Sequence, residues 1–371
     1  MPGTSTSETP TLTELSRWLE GGYPGGDDAL ARRAREVMEA EVGRHVSLRG
    51  LLEFSNRCSC DCYYCGIRKS ARLHRDTGGR FTLEEGEIIE AAKECLAAGF
   101  GSMTLQSGER RDEPFIRFLE GVIRRIKRET RTSLLPEGLG ITLCVGRQSR
   151  EVYRRLYEAG AHRYLLRVET TNEQLFSRLH PPQQRLESRI RALKDIKETG
   201  FQLGTGVMIG IPGQSAADLA RDVAFFREID ADMIGMGPYL ESSGLPPEQL
   251  AALRVLPESS REERLQLSLR MIAVTRIYLR DINIAATTAL QAVSPTGREA
   301  GLSYGANVLM PIVTPGHRRR AYQLYEGKPW VDEDSRACAG CTPGRAARIG
   351  RPVALNRWGD APHAGSRRFS A

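Results

Sequence analysis

No stretch of this 371-residue chain approaches the roughly 18 consecutive apolar residues that a bilayer-crossing helix needs, which excludes such a helix. The first dozen residues, rich in Ser, Thr and Pro, lack a basic segment followed by an apolar one. No secretory signal is expected, and the chain is expected to stay in the cytoplasm. The formal net charge is +7, with much of the basic excess late, at 317–320 and 344–368. Few aromatics interleave with those late arginines, so a nucleic-acid strand has little to stack on. The excess reads as scattered, solvated charge, and no nucleic-acid or membrane partner is expected. The remaining composition, 40% hydrophobic and 27% charged, is that of a folded chain long enough for one large or two medium domains.

Eight cysteines are present, and a disulfide framework is a poor use for them in a reducing compartment. Four fall together in Cys58-Ser-Cys60-Asp-Cys62-Tyr-Tyr64-Cys65. Cys58, Cys62 and Cys65 have the spacing C-x3-C-x2-C, three thiolates on one short loop. A structural zinc site or an electron-carrying cluster normally takes four protein ligands. Three thiolates on a four-iron cluster leave one iron open, which is what chemistry requires. A zinc knuckle would need Cys60 as its fourth ligand, and Cys60 is expected to point away from a shared centre. Cys60, Cys95 and Cys144 read as bystander thiols.

The stretch Phe54-Ser-Asn-Arg-Cys58-x3-Cys62-Tyr-Tyr64-Cys65 resembles the cluster loop of the radical S-adenosylmethionine (SAM) superfamily. The resemblance implies a [4Fe-4S] cluster whose open iron is chelated by SAM. It also implies one-electron cleavage of SAM to a 5′-deoxyadenosyl radical, with Tyr64 part of the pattern.

Short apolar runs at 51–54, 102–106, 141–145, 164–168, 206–211, 233–236, 282–287 and 307–310 read as strands. Between them, 83–98, 113–130, 151–159, 189–199, 216–229 and 261–279 read as amphipathic helices. Eight alternations predict an α/β fold, a (β/α)8 TIM barrel, with a doubly wound open sheet as the alternative. The expected divisions are an N-terminal helical extension over 1–46, the barrel over 47–316 and an irregular C-terminal extension over 317–371. In a barrel the chemistry gathers just after the strands. The polar groups of this chain fall there: Cys58, Gln106 to Glu109, Thr142 to Gly146, Arg167 with Glu169, and Thr287 with Thr288.

For SAM, arginine suits the carboxylate and an acidic group suits the ammonium or ribose hydroxyls. Arg167 and Glu169 alternate along the chain and are expected to face the interior together, with Arg189 completing the carboxylate grip. Gln106 and Ser107 would meet the methionyl part. Gly108-Glu109 resembles the superfamily's short Gly-Glu element, and 206–214, with Met208, its adenine-side strand and turn. Thr142 and Met236 complete the candidate cofactor set.

Beyond the loop, the chain is similar to the [FeFe]-hydrogenase maturases of the HydE type across roughly 48–325. The stretches that carry this include Thr104-Leu-Gln-Ser-Gly-Glu109, Tyr164-Leu-Leu-Arg-Val-Glu-Thr-Thr-Asn172 and Ile209-Gly-Ile-Pro-Gly-Gln214. Ala285-Ala-Thr-Thr-Ala289 and Tyr322-Gln-Leu-Tyr-Glu-Gly-Lys328 belong with them. That resemblance implies a small iron–carbonyl–cyanide–cysteine substrate, partner maturation enzymes and a low-potential electron donor. Thr287, Thr288 and Tyr322 would shape the substrate side. Cys338 and Cys341 would supply two ligands of a second cluster, but Trp330 stands where a third would be, so that cluster is doubtful. Cys144 and Arg147 replace the Ser and Glu common in relatives, and 241–248 lacks the family's His. A methylornithine-forming mutase, a biotin-synthase-like sulfur inserter and a non-catalytic iron–sulfur scaffold are the rival readings.

Overall fold

The computed structural model describes residues 9–71, 78–242, 245, 249, 251, 253, 260–329 and 344–368. In chain order its strands are β1 (Val46–Ser55), β2 (Ser102–Ser107), β3 (Gly140–Cys144), β4 (Arg163–Leu165), β5 (Gln202–Thr205) and β6 (Met208–Ile209). They continue as β7 (Met233–Ile234), β8 (Gly237–Pro238), β9 (Asn283–Ile284), β10 (Val308–Leu309) and β11 (Val353–Ala354). The pairings between these strands are parallel, and the order β10-β1-β2-β3-β4-β5-β7-β9 runs through eight of them. A bridge between Ala285 and Val308 joins its ends. There Asn307 N donates to Ile284 O at 2.9 Å and Ala286 N to Val308 O at 3.0 Å. The sheet is a closed barrel, and the open-sheet alternative falls away.

The fifth barrel strand differs from expectation. The apolar pattern places that strand at 206–211, but the ladder runs through Gln202–Thr205. β6 pairs only with β8, in a separate two-stranded sheet above the ring. Gly204 and Gly206 interrupt the apolar run, which hides the true strand from a hydropathy reading. The close approach here requires glycine: a Cβ on Gly206 would lie 2.0 Å from the Gly235 carbonyl oxygen.

Strand alternation sorts the side chains. On β1, Leu48, Leu52 and Phe54 enter the core shared with the helices, while Leu51 packs against Ile312 and Met310 inside the barrel. Helix Glu113–Glu129 shows why the outer layer forms. It buries Phe115, Ile116, Leu119, Val122, Ile123 and Ile126 at helical spacing, and Asp112 caps its first turn through Phe115 N at 3.1 Å. Helices Leu12–Leu19 and Gly26–Glu41 lie against Ala216–Glu228 and Arg261–Leu279, with Asp27 paired to Arg270 at 2.8 Å.

The late basic segments are not simply solvated, as the composition suggested. Arg319 and Arg351 are buried because their guanidiniums satisfy backbone carbonyls, Arg319 at Thr314 and Arg351 at Arg44, Leu302 and Ala306. The C-terminal segment returns to the bottom of the barrel, where β11 pairs with β1. Trp358 stacks on His162 and donates to Gly138 O at 2.8 Å. The Gly359 carbonyl accepts from Arg49 and Asn283 at 2.9 Å each, and Asp360 pairs with Arg163 at 2.8 Å. Arg163 is buried, so replacing Asp360 by Asn leaves a dry guanidinium without its acid. A loss of about 2–3 kcal/mol is expected in denaturant unfolding, below the cost for a fully enclosed pair because Asp360 keeps a third of its side chain in water. An unchanged midpoint would show that the strap is not latched there.

Candidate active site

The loop after β1 is held from below by its own polar residues. Asn56 donates to Gly79 O at 2.7 Å and Ala321 O at 2.8 Å, and accepts from Phe81 N at 2.7 Å. Arg80 gathers the carbonyls of Asn56, Ile67, Arg68, Lys69 and Ala71 onto one guanidinium. Five carbonyls on a single cation fix the loop's path on both sides of the cysteines. Ser59 ties the tip to the end of β2, with its N and Oγ donating to Glu109 O at 2.8 and 2.9 Å. Gly108 is needed at that seam, because a Cβ there would meet Arg57 O at 2.4 Å.

Cys58, Cys62 and Cys65 therefore stand at the C-terminal mouth of the barrel. The Cys62 thiol donates to Gln184 Oε1 at 3.2 Å. Burial pushes Cys65 up to about 11. Hydrogen bonding with Cys60, then burial, raises Cys58 and Cys62. Cys60 does not point away as expected: its backbone N donates to Cys58 Sγ at 3.4 Å and its thiol lies near those of Cys58 and Cys62. The loop is too tight to send every second side chain outward.

Tyr64 reaches Glu169, its hydroxyl 3.2 Å from Oε1. Glu169 has φ 71°, in the left-handed region where a non-glycine residue is strained by roughly 1–2 kcal/mol. Two backbone bonds hold it there, Glu169 N to Gly206 O and Met208 N to Glu169 O, each 3.0 Å. Arg167 and Glu169 do face the mouth together, 3.2 Å apart, although the regular strand has ended at Leu165. Backbone bridging to Val207, not strand alternation, sets their direction. Arg189, on helix Leu186–Glu198, is buried beside them, and its guanidinium takes up no carboxylate or carbonyl among the described residues. Burial disfavours its charge, but the surrounding acidic groups, Glu169 and Glu109 among them, outweigh that and raise its pKa above the ordinary value.

The Radical SAM superfamily profile matches residues 52–226. Over 335 residues, 90% of this chain and 89% of the relative, the sequence is 38% identical to the [FeFe] hydrogenase maturase subunit HydE of Thermotoga maritima. The chain belongs to the HydE maturase family. It is also 25% identical to the 3-methylornithine synthase of Methanosarcina acetivorans, over 79% of this chain and 77% of that one. Two solved structures share the fold. Methylornithine synthase (PylB) has TM-score 0.74 at 22% identity, over 94% of this chain and 96% of the other. The [FeFe]-hydrogenase maturase HydG has TM-score 0.69 at 18% identity, over 87% of this chain and 70% of the other.

As a radical SAM enzyme of the HydE family, the protein uses a [4Fe-4S] cluster and SAM, and its residues fit both. Three thiols share one braced loop. Beside them stand a buried guanidinium that takes up no carboxylate or carbonyl among the described residues, Arg189, and a carboxylate, Glu169, whose Oε2 lies 3.2 Å from Arg167 with no hydrogen bond there. These are complementary to the carboxylate and the ammonium of SAM. When bound, cluster and SAM supply one-electron cleavage of the sulfonium carbon–sulfur bond.

The other predicted residues divide into two groups. Gln106 and Tyr322 lie close together inside the mouth, and Ser107 Oγ donates to Gly108 O at 2.8 Å. The Glu109 carboxylate is taken by Arg111 and by Arg147 N, so it braces the seam beside the loop; burial, then Cys60, pushes it up. Thr142 lies deeper than Cys144 on β3, and its hydroxyl accepts from Arg163 at 3.0 Å, away from the thiols. Met208 packs with Leu175, Leu179, Ile211 and Tyr239 beside Tyr64. Met236 is fully enclosed in the main core. Thr287 donates to Met236 O at 2.9 Å and Thr288 opens the helix after β9. Cys338 and Cys341 lie outside the described residues, as does Trp330.

The sequence reading missed Arg80, Gln184, and the ion pair of Glu53 with Lys328 at 2.5 Å. Lys328 also donates to Tyr322 O at 2.7 Å, and its ammonium lies 5.1 Å from the Tyr322 ring. Only the inward position of Glu53 on β1 could have drawn attention to it. Cys144, read as a bystander, stands among charges: burial, against the field of Arg167, pushes its thiol up to about 12.

Proposed function

We propose that this chain matures the hydrogenase cofactor by acting on a small iron–carbonyl–cyanide–cysteine complex held in the barrel below the SAM site. The reading rests first on the similarity to HydE over nine-tenths of the chain, with the C-x3-C-x2-C loop intact. The interior chemistry is consistent with it. Arg167, Lys328, Tyr322 and Cys144 offer cations, a phenol and a soft sulfur to a ligand that carries a carboxylate, cyanide and a metal-bound thiolate. Arg167 is held by Val207 O at 2.7 Å and Lys328 by Glu53, so both cations are positioned before a ligand arrives.

In this scheme Arg189 would orient the SAM carboxylate and Glu169 its ammonium, with Tyr64 fixing the Glu169 carboxylate. Tyr322, nearly fully buried, would exclude water from the barrel below. Partner maturation enzymes would supply the substrate and take the product. Among the described residues no helix is long and apolar enough to cross a membrane.

A lysine mutase is the second reading, favoured by the likeness to 3-methylornithine synthase. Anaerobic turnover separates the two. A synthetic iron–carbonyl–cyanide–cysteine complex should give substrate-dependent SAM consumption and an adenosylated product, while free lysine should leave the rate at background. Lysine rearrangement without turnover of the iron complex would overturn the maturase reading.

A further inference from the structure

We infer that the rim of the barrel around the Cys58 loop is the docking surface for an acidic one-electron carrier protein. The inference rests on the cluster being held by that loop, and concerns how its electron arrives. The loops following β1 to β4 are tied into one continuous face. Ser59 bonds Glu109, Gln148 Nε2 donates to Arg110 O at 2.8 Å, Cys62 bonds Gln184, and Tyr63 N donates to Leu179 O at 2.9 Å. The cluster loop approaches solvent within this face, where Ser59 is exposed between the half-buried Cys58 and Cys60.

The charge of the face is lopsided. Over 57–71, 108–112, 146–150 and 177–191, the described residues hold eleven arginines and lysines against four acids, a surplus equal to the formal net charge of the whole chain. Arg57, Lys69, Arg111, Arg150, Arg178, Arg185 and Arg191 are exposed, against only Asp112 and Glu187 among the acids. A depression of about 350 Å³ opens within the patch, lined in part by Arg111, Arg147 and Arg191. Arg185 is adjacent to Gln184, the residue bonded to the Cys62 thiol, so the positive rim reaches the thiol loop itself.

Electron transfer needs only a brief encounter that brings two redox groups close together. A single-sign field around the entry point steers such encounters and raises their rate by roughly 10- to 1,000-fold at low ionic strength. The complementary partner is strongly acidic around its own redox group, as a flavin- or iron–sulfur-bearing carrier can be.

The test uses reconstituted full-length protein and a purified acidic flavodoxin in its fully reduced state. Cluster reduction is followed by stopped-flow absorbance, and binding of the carrier by calorimetry. Arg185→Glu with Arg191→Glu is expected to slow reduction by flavodoxin at least 10-fold at low salt, to weaken binding equally, and to flatten the salt dependence. The same changes to Gln should give an intermediate loss. Arg32→Glu with Arg33→Glu, an equal charge change on helix Gly26–Glu41, should leave the rate near that of the parent. Reduction by photoreduced deazaflavin, a small reductant, reports the cluster directly and should be the same in all variants. Unchanged flavodoxin binding and rate in the Arg185/Arg191 variant, or equal slowing by the Arg32/Arg33 control, would overturn the docking surface. Failure of deazaflavin to reduce the parent protein would instead strike the cluster assignment beneath it.

Discussion

Cys62→Ala is expected to abolish both iron retention and SAM cleavage. Cys62 is the middle ligand of the loop, almost enclosed, with its sulfur directed at Gln184. Without it two thiolates remain for a four-iron cluster that takes three from this loop, and two are too few to hold it. Anaerobic reconstitution should then fall from about four irons per chain to well under one. 5′-Deoxyadenosine formation should drop to background. The fold should survive, because truncating one buried thiol typically costs about 1 kcal/mol, and circular dichroism of the variant provides that check. A Cys62→Ala protein that still cleaves SAM at the parental rate would mean that the cluster is bound elsewhere. Cys60 makes the experiment sharper than usual. Its backbone N donates to Cys58 Sγ at 3.4 Å, which keeps it within the loop, so any residual cluster in Cys62→Ala should disappear when Cys60 is also replaced.

The second large effect is expected at Arg189. Its guanidinium is buried without a hydrogen-bonded acid among the described residues, near the carboxylates of Glu169 and Glu109. Removing one partner of an enclosed charge pair costs about 2–5 kcal/mol of binding. Arg189→Met should therefore weaken SAM affinity by about 100-fold, the equivalent of roughly 2.7 kcal/mol. Iron content should not change, since Arg189 is not a ligand. Arg189→Lys keeps the charge but loses the planar fork, and should recover only part of the affinity. Equilibrium binding of SAM to the reconstituted protein measures this, and the change in the reduced cluster's paramagnetic resonance on adding SAM gives a second readout. Parental SAM affinity in Arg189→Met would leave the arginine a purely structural role.

The sequence reading and the structure agree most closely where local rules dominate. Helix Arg261–Leu279 runs over the residues expected, because Ser260 and Glu263 form a capping box at its start. The cysteine loop was legible because metal ligation imposes both residue type and spacing. Disagreement came where distant segments set the geometry. The strand Gln202–Thr205 departs from the expected position because Gln202 and Gly204 carry little hydropathy signal, and the neighbouring Gly206 is required by its close approach to the Gly235 carbonyl. Met236 was offered as a cofactor contact, but its strand end points into the core, where Thr275 Oγ1 lies 4.0 Å from its sulfur. Thr142 was placed at the mouth by its strand, and register puts it beside Arg163 instead.

The amino-acid sequence by itself determined the chemistry available: three thiolates on one loop, the polar residues at strand ends, and an alternation that builds a parallel barrel. Those properties are local, set by residue type and spacing over a few positions. Only the tertiary structure decided which polar groups are spent on the scaffold and which are left for a ligand. Arg80 lies fifteen residues beyond the last loop cysteine, yet it holds that loop together. Glu109 is consumed by neighbouring arginines, while Arg189 remains without a partner among the described residues. Such assignments depend on closure of the ring, which brings residues from different strands within bonding distance, and no pattern along the chain records those separations.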